Sequence, residues 1–115
     1  MPASARSRLA RRLPRAATVF AALGDPTRLA LVTRLCDGSR RSITQLCDGQ
    51  PLTRQAISKH LRVLEDARVV RSERTGRESL YTLDPQPIGE LREYIDLVSS
   101  QWDDALARLK SFVEK

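Results

Sequence analysis

Residues 52–83, LTRQAISKHLRVLEDARVVRSERTGRESLYTL, constrain the fold more than any other stretch, because a basic helix there runs straight into an arginine-studded β-hairpin. Thr53 is placed to cap the first free amides with its hydroxyl, and Leu52 to staple onto Ile57 in the first turn. At about 100 degrees per residue, Ile57, Leu61 and Leu64 share one stripe while Gln55, Ser58, Lys59 and Arg62 occupy the opposite face. One face packs; the other offers an amide, a hydroxyl and two cations, groups that hydrogen-bond base edges or neutralise phosphates. No carboxylate interrupts that face before Glu65 and Asp66 at its far end. Val69 to Arg74 and Glu78 to Leu83 alternate as strands do, with Thr75-Gly76-Arg77 as the turn. This predicts a wing whose tip carries Arg74 and Arg77, within reach of a neighbouring backbone or minor groove. Alone, such a hairpin reads as a solvated surface; behind a basic helix it reads as a second point of contact.

The rest of the chain supports a polyanionic partner. A length of 115 residues fits one domain, and five aromatic residues limit the core it can build alone, which favours a partner subunit. The net charge is +6, unevenly spread. Through Leu83 there are 16 Lys or Arg against 7 Asp or Glu, and from Asp84 onward 4 against 7. The first two-thirds therefore favours nucleic acid and the last third some other duty. Phe20, Tyr81, Tyr94, Trp102 and Phe112 are scattered, so no stacking platform for single strands is expected and duplex DNA is the better match.

Cys36 and Cys47 are too few for a secreted disulfide scaffold and lack C-x-x-C spacing, which fits a reducing cytoplasm. Arg11-Arg12 ahead of the apolar run from Ala16 to Leu23 is like a twin-arginine export signal, but Asp25-Pro26-Thr27-Arg28 follows at once without a small-x-small cleavage site. Residues 1–15 are expected as a flexible basic arm and residues 16–115 as the folded domain. No run is long enough to span a membrane.

Thr18 to Leu23 predicts a short helix ended by Gly24. Asp25 caps a second helix with Pro26 at its first position, packing through Leu29, Val32, Leu35 and Cys36 and stopped by Asp37-Gly38. Ser42 and Gln45 have capping-box spacing for a short third helix with Ile43 and Leu46 inward. Gly49-Gln50-Pro51 then turns into the basic helix, giving helix-turn-helix order. After Asp84-Pro85-Gln86-Pro87, Ile88, Leu91, Ile95, Val98, Trp102, Ala105, Leu109 and Phe112 alternate spacings of three and four. A seam of that length over so small a domain predicts a dimerisation helix over residues 88–113, anchored by Trp102, rather than a cover for its own core.

The element order and the strings Leu23-Gly24-Asp25-Pro26-Thr27-Arg28, Ser58-Lys59-His60-Leu61 and Glu73-Arg74-Thr75-Gly76-Arg77 resemble the ArsR (ArsR/SmtB) family of bacterial winged-helix transcriptional regulators, over roughly Ala17 to Val113. The resemblance implies a mainly α winged helix-turn-helix with a β-hairpin wing, in the order α-α-α-α-β-β-α. It implies a homodimer joined through its first and last helices, with the fourth helix in the major groove, that represses transcription by binding near a promoter. Carried onto this chain, Thr53, Arg54, Gln55, Ser58, Lys59, Arg62, Arg74 and Arg77 would face DNA. Phe20, Ile88, Leu91, Ile95, Val98, Trp102, Leu109 and Phe112 would form the dimer interface, and His60 would pack or meet a phosphate.

The departures from the family matter too. Metal-sensing members similar to this chain carry Cys-x-Cys in the third helix or Asp/His clusters in the last. Here the third helix offers only Cys47-Asp48, and Asp96, Asp103 and Asp104 suit zinc, nickel or arsenic poorly. No metal or cofactor is expected. Arg68 stands where glycine is usual, so a looser or different exit from the fourth helix is expected. Cys36 and Cys47 are expected as buried structural thiols, although a thiol-redox-responsive repressor stays an open reading. A protein-interaction module on the same fold stays open as well. An enzyme is not indicated: His60 is the only histidine, and neither a carboxylate pair nor a phosphate-cradling glycine loop is present. Nothing in the sequence selects a small-molecule effector, an operator or target genes.

Overall fold

In a computed structural model, which describes residues 5–114, each helix whose capping residue is described starts where that residue's side chain satisfies a free amide. In chain order the elements are α1 (Ala5–Leu23), α2 (Pro26–Leu35), β1 (Arg41–Ser42), α3 (Ile43–Cys47), α4 (Arg54–Asp66), β2 (Val70–Thr75), β3 (Glu78–Leu83) and α5 (Pro85–Val113). Asp25 accepts from the Arg28 amide at the head of α2, Thr53 from the Ala56 amide at the head of α4, and Asp84 from the Gln86 amide at the head of α5. At α3, Ser42 and Gln45 close the reciprocal capping box that their spacing predicts. The result is the mainly α winged helix-turn-helix expected from the sequence.

The core lies between α2, α3, the inner face of α4 and the start of the wing, where Leu31, Leu35, Leu46, Ile57, Leu61, Leu64 and Val69 are fully buried. The wing strands pair antiparallel from Val70 opposite Leu83 to Thr75 opposite Glu78. Gly76 has φ +64 and is the first of two turn residues, a position where a left-handed backbone matches the strand twist and where glycine adopts it without strain. A third, two-residue strand, β1, pairs with β3 through Arg41 and Tyr81 and through Ser42 and Leu80, giving the sheet order β1-β3-β2. Two residues carry no legible alternation, so this strand is absent from the sequence reading.

Four expectations are corrected. Residues 5–15 are not a loose arm: they belong to α1, which continues through Pro14 and is held against α5 by Arg12 to Glu93 at 3.0 Å and Arg15 to Glu90 at 3.4 Å. Residues 1–4 of the expected arm lie outside the described residues. On α2 the packed face is Leu31, Val32 and Leu35, while Leu29 and Cys36 point outward. Cys36 is thus an exposed free thiol, and Cys47 a half-buried one.

The exit from α4 is not loose either. Arg68 has φ +63, and the Arg68 amide donates to Glu65 O and the Val69 amide to Leu64 O, both at 2.9 Å. These two bonds make the Schellman ending that glycine would normally serve, with fully buried Leu64 and Val69 at the positions where its apolar contact falls. Finally, Leu91, expected at a subunit interface, is buried in the chain's own core, with Ile88 packed beside it. The N-terminal part of α5 therefore covers its own domain.

Candidate nucleic-acid interface

With Ile57, Leu61 and Leu64 held inward, the opposite face of α4 is left to solvent, and Thr53, Arg54, Gln55, Ser58, Lys59 and Arg62 are all exposed. Among the described residues, neither Lys59 nor Arg62 meets a carboxylate at ion-pair distance, so the face keeps its positive charge. Arg54 donates to Thr44 Oγ1 at 3.1 Å, tying the first turn of α4 to the first turn of α3. Arg54 and Arg77 also line one shallow groove, with Ser42, Ile43, Thr44, Glu78 and Ser79. The fold thus brings together an arginine from the helix and one from the wing. Arg74, exposed on the edge strand, folds back toward its own turn and donates to Gly76 O at 3.4 Å.

α3 is braced from behind. Arg34 donates from Nη1 to the carbonyls of Leu46 and Asp48 at 3.0 and 2.9 Å, and from Nη2 to that of Gln45 at 2.8 Å. A planar fork of donors satisfies the orphan carbonyls at the end of a five-residue helix, which could not hold its shape by its own hydrogen bonds. Sequence reading misses this because the carbonyls it caps carry no side-chain signature.

The Gly24-Asp25-Pro26-Thr27-Arg28 corner has a similar office between α1 and α2. The Arg28 guanidinium donates to the carbonyls of Ala22 and Ala21 at the end of α1 and reaches His60 Nδ1 at 3.2 Å. Gly24 lies close enough to α1 that an added Cβ would stand 3.2 Å from the Phe20 carbonyl oxygen. Asp25 has its carboxyl held below the usual carboxylate range, chiefly by the hydrogen bond from the Arg28 amide and also by the positive charge of the Arg28 guanidinium. A depressed pKa means that its contribution to stability is complete above about pH 4 and lost as the pH falls through the folded value. His60 accordingly faces this corner and not the outer face of α4.

The other expected surface is apolar. Ile95, Trp102, Leu109 and Phe112 are 45, 64, 59 and 77% exposed, and Leu106 and Val113, which the seam did not include, are 57 and 71% exposed. Val98 is half-buried. On α1, Leu13 and Phe20 are also exposed, Phe20 meeting Tyr94 edge-on at 6.3 Å. Among the described residues no three His, Cys, Asp or Glu side chains gather to hold a metal ion, and no helix is long and apolar enough to cross a membrane.

Comparison with known proteins agrees with this geometry. Residues 23–73, from the end of α1 into the wing, match the family model of a helix-turn-helix domain. The chain is 36% identical over 95 residues to the HTH-type transcriptional regulator Rv2034 of Mycobacterium tuberculosis, covering 72% of this chain and 88% of the relative. It is also 34% identical over 94 residues to the HTH-type transcriptional repressor SmtB of M. tuberculosis, covering 82% of this chain and 67% of that one. This protein belongs to the ArsR/SmtB family of winged helix-turn-helix transcriptional regulators. Among solved structures, an ArsR-like transcriptional regulator from Rhodococcus sp. RHA1 superposes with a TM-score of 0.77 at 33% identity, over 87% of this chain and 93% of the other.

Proposed function

We propose that this regulator is a homodimeric repressor that binds an imperfect palindrome in or near a promoter and works in the cytoplasm, where its two free thiols stay reduced. Thr53, Arg54, Gln55, Ser58, Lys59 and Arg62 read or straddle the major groove, and Arg74 and Arg77 reach the flanking backbone or minor groove. Phe20, Ile95, Val98, Trp102, Leu109 and Phe112 join the subunits. The observation that carries the reading is the pairing of two surfaces: an exposed polar face on α4 without a carboxylate opposite its cations, and an exposed apolar face on the outer half of α5 that no described residue of its own chain buries. A dimer would present two α4 helices to successive major grooves, which supplies the selectivity that one short helix lacks.

The test is a binding titration on duplex DNA from upstream of its own gene, at several salt concentrations. Lys59→Ala and Arg62→Ala are each expected to weaken binding by about 1–3 kcal/mol, and a lost phosphate contact would also flatten the salt dependence. Unchanged affinity in both variants would remove α4 from the interface. Equal, weak binding to upstream and scrambled DNA would favour an interaction module on this fold.

A further inference from the structure

The one histidine of the chain lies on the reading helix but does not take part in its reading face. Its Nδ1 is 3.2 Å from Arg28 Nη1 and 3.8 Å from Asp25 Oδ2. A guanidinium can only donate, so this contact requires an unprotonated Nδ1, and the ring carries its proton on Nε2. The same Arg28 side chain donates to the carbonyls of Ala21 and Ala22, in the last turn of α1. Phe20, in that same turn, meets Tyr94 of α5. An unbroken series of contacts thus runs from α5, through the end of α1 and Arg28, to the middle of α4.

We propose that Arg28 and His60 are positioning residues for DNA reading, setting the rotation of α4 against the α1 and α5 pair through a hydrogen bond that only neutral His60 can accept. This rests on the DNA-reading assignment above. The charged groups facing the ring are Arg28 and Asp25, both from the α1–α2 corner; α1 contributes the carbonyls of Ala21 and Ala22 through Arg28. Lys59 and Arg62, on α4 itself, lie on its outer face. When the ring gains a proton, Nδ1 stops accepting from Arg28 and donates to Asp25 instead. α4 then loses its tie to the end of α1 and gains one to the cap of α2. The two partners belong to one corner but pull the ring toward different atoms, so protonation alters the aim of the helix without dismantling the fold.

The sign of the effect separates positioning from simple charge. Added positive charge on a DNA-binding protein strengthens binding to any duplex, whereas a misaimed helix loses preference for its own site. The experiment uses the full chain, a duplex selected from a randomised pool by the wild-type protein, and a scrambled duplex of equal length. Affinities are read by fluorescence anisotropy at fixed ionic strength from about pH 8 to about pH 5. The wild-type preference for the selected duplex is expected to fall roughly tenfold on acidification, the scale of one hydrogen bond to a charged group, while binding to the scrambled duplex holds or rises.

His60→Asn puts a non-titrating acceptor in the place of Nδ1 and is expected to keep the preference across the whole range. Arg28→Ala is expected to show the low preference at every pH. Should it fail to fold by circular dichroism, Arg28→Lys, which keeps charge and a donor but not the fork, is expected to lie between. Acid loss as large in His60→Asn as in wild type, or a wild-type preference constant with pH, overturns the proposal. If no duplex is preferred even at about pH 8, the DNA-reading assignment falls first and takes this one with it.

Discussion

α4 and the outer half of α5 are built from the same kind of repeating apolar stripe and end in opposite conditions. In α4, Ile57, Leu61 and Leu64 are fully buried and the polar residues stand outside; in α5 beyond Tyr94, Trp102, Leu109 and Phe112 are more than half exposed. The difference lies in what each helix finds beside it. α4 sits against α2, α3 and the base of the wing, whereas α5, about 44 Å long at 1.5 Å per residue, runs past that core and along its outer half is flanked by α1 alone among the described elements, with Leu9 beside Val98 and Trp102. A stripe with a partner in its own chain becomes core and releases the opposite face for chemistry. A stripe only partly flanked leaves an apolar surface of the sort that marks an interaction site.

The sharpest way to break this contrast is to truncate one leucine in each helix. Leu61→Ala is expected to cost about 2–5 kcal/mol in denaturant unfolding, because it empties volume in a close-packed interior. Leu109→Ala is expected to change the stability of the isolated subunit by no more than about 0.5 kcal/mol and to act through protein concentration instead. A loss at Leu109 as large as that at Leu61, and independent of concentration, would make the outer half of α5 a part of the core.

Trp102→Ala tests the proposed subunit interface directly. A large aromatic anchor at the centre of an association surface typically accounts for about 2–4 kcal/mol, so the dimer dissociation constant is expected to rise by roughly 30-fold to 1000-fold. Sedimentation velocity over a dilution series measures this. Self-association unaltered by the substitution would move the anchor elsewhere along α1 and α5.

How much was legible follows from whether a feature's cause is local. Thr53, the Ser42 and Gln45 box, and the turn at Gly76 act within a few residues of themselves, and the sequence reading places them where the structure does. The inner and outer faces of α4 were legible for the same reason, since one period decides both. The helical state of residues 5–15 was not: arginines and a proline show no apolar period, and the carboxylates that meet Arg12 and Arg15 belong to α5. Leu91 reads as an interface residue in the sequence because a continuous seam does not reveal where its own domain ends. The ties made by Arg34 and Arg28 leave no mark in the sequence, because the carbonyls they satisfy belong to the backbone, which every residue shares.

Arg68 gives the finest test, and it concerns the C-terminal end of α4. The Schellman bonds at Glu65 and Leu64 require a left-handed residue, and an L side chain in that conformation is held there at a cost of about 1–2 kcal/mol. Arg68→Gly relieves the strain but gives the unfolded chain more freedom, which returns up to about 1 kcal/mol. A net gain of roughly 0.5–1 kcal/mol is therefore expected, read as a higher unfolding midpoint. Arg68→Ala separates backbone from charge: it removes the guanidinium, exposed at this corner, while keeping the Cβ that causes the strain. Glycine should stabilise the protein and alanine should not. Equal gains from both would trace the effect to the lost positive charge and leave the tight exit of α4 without measurable strain.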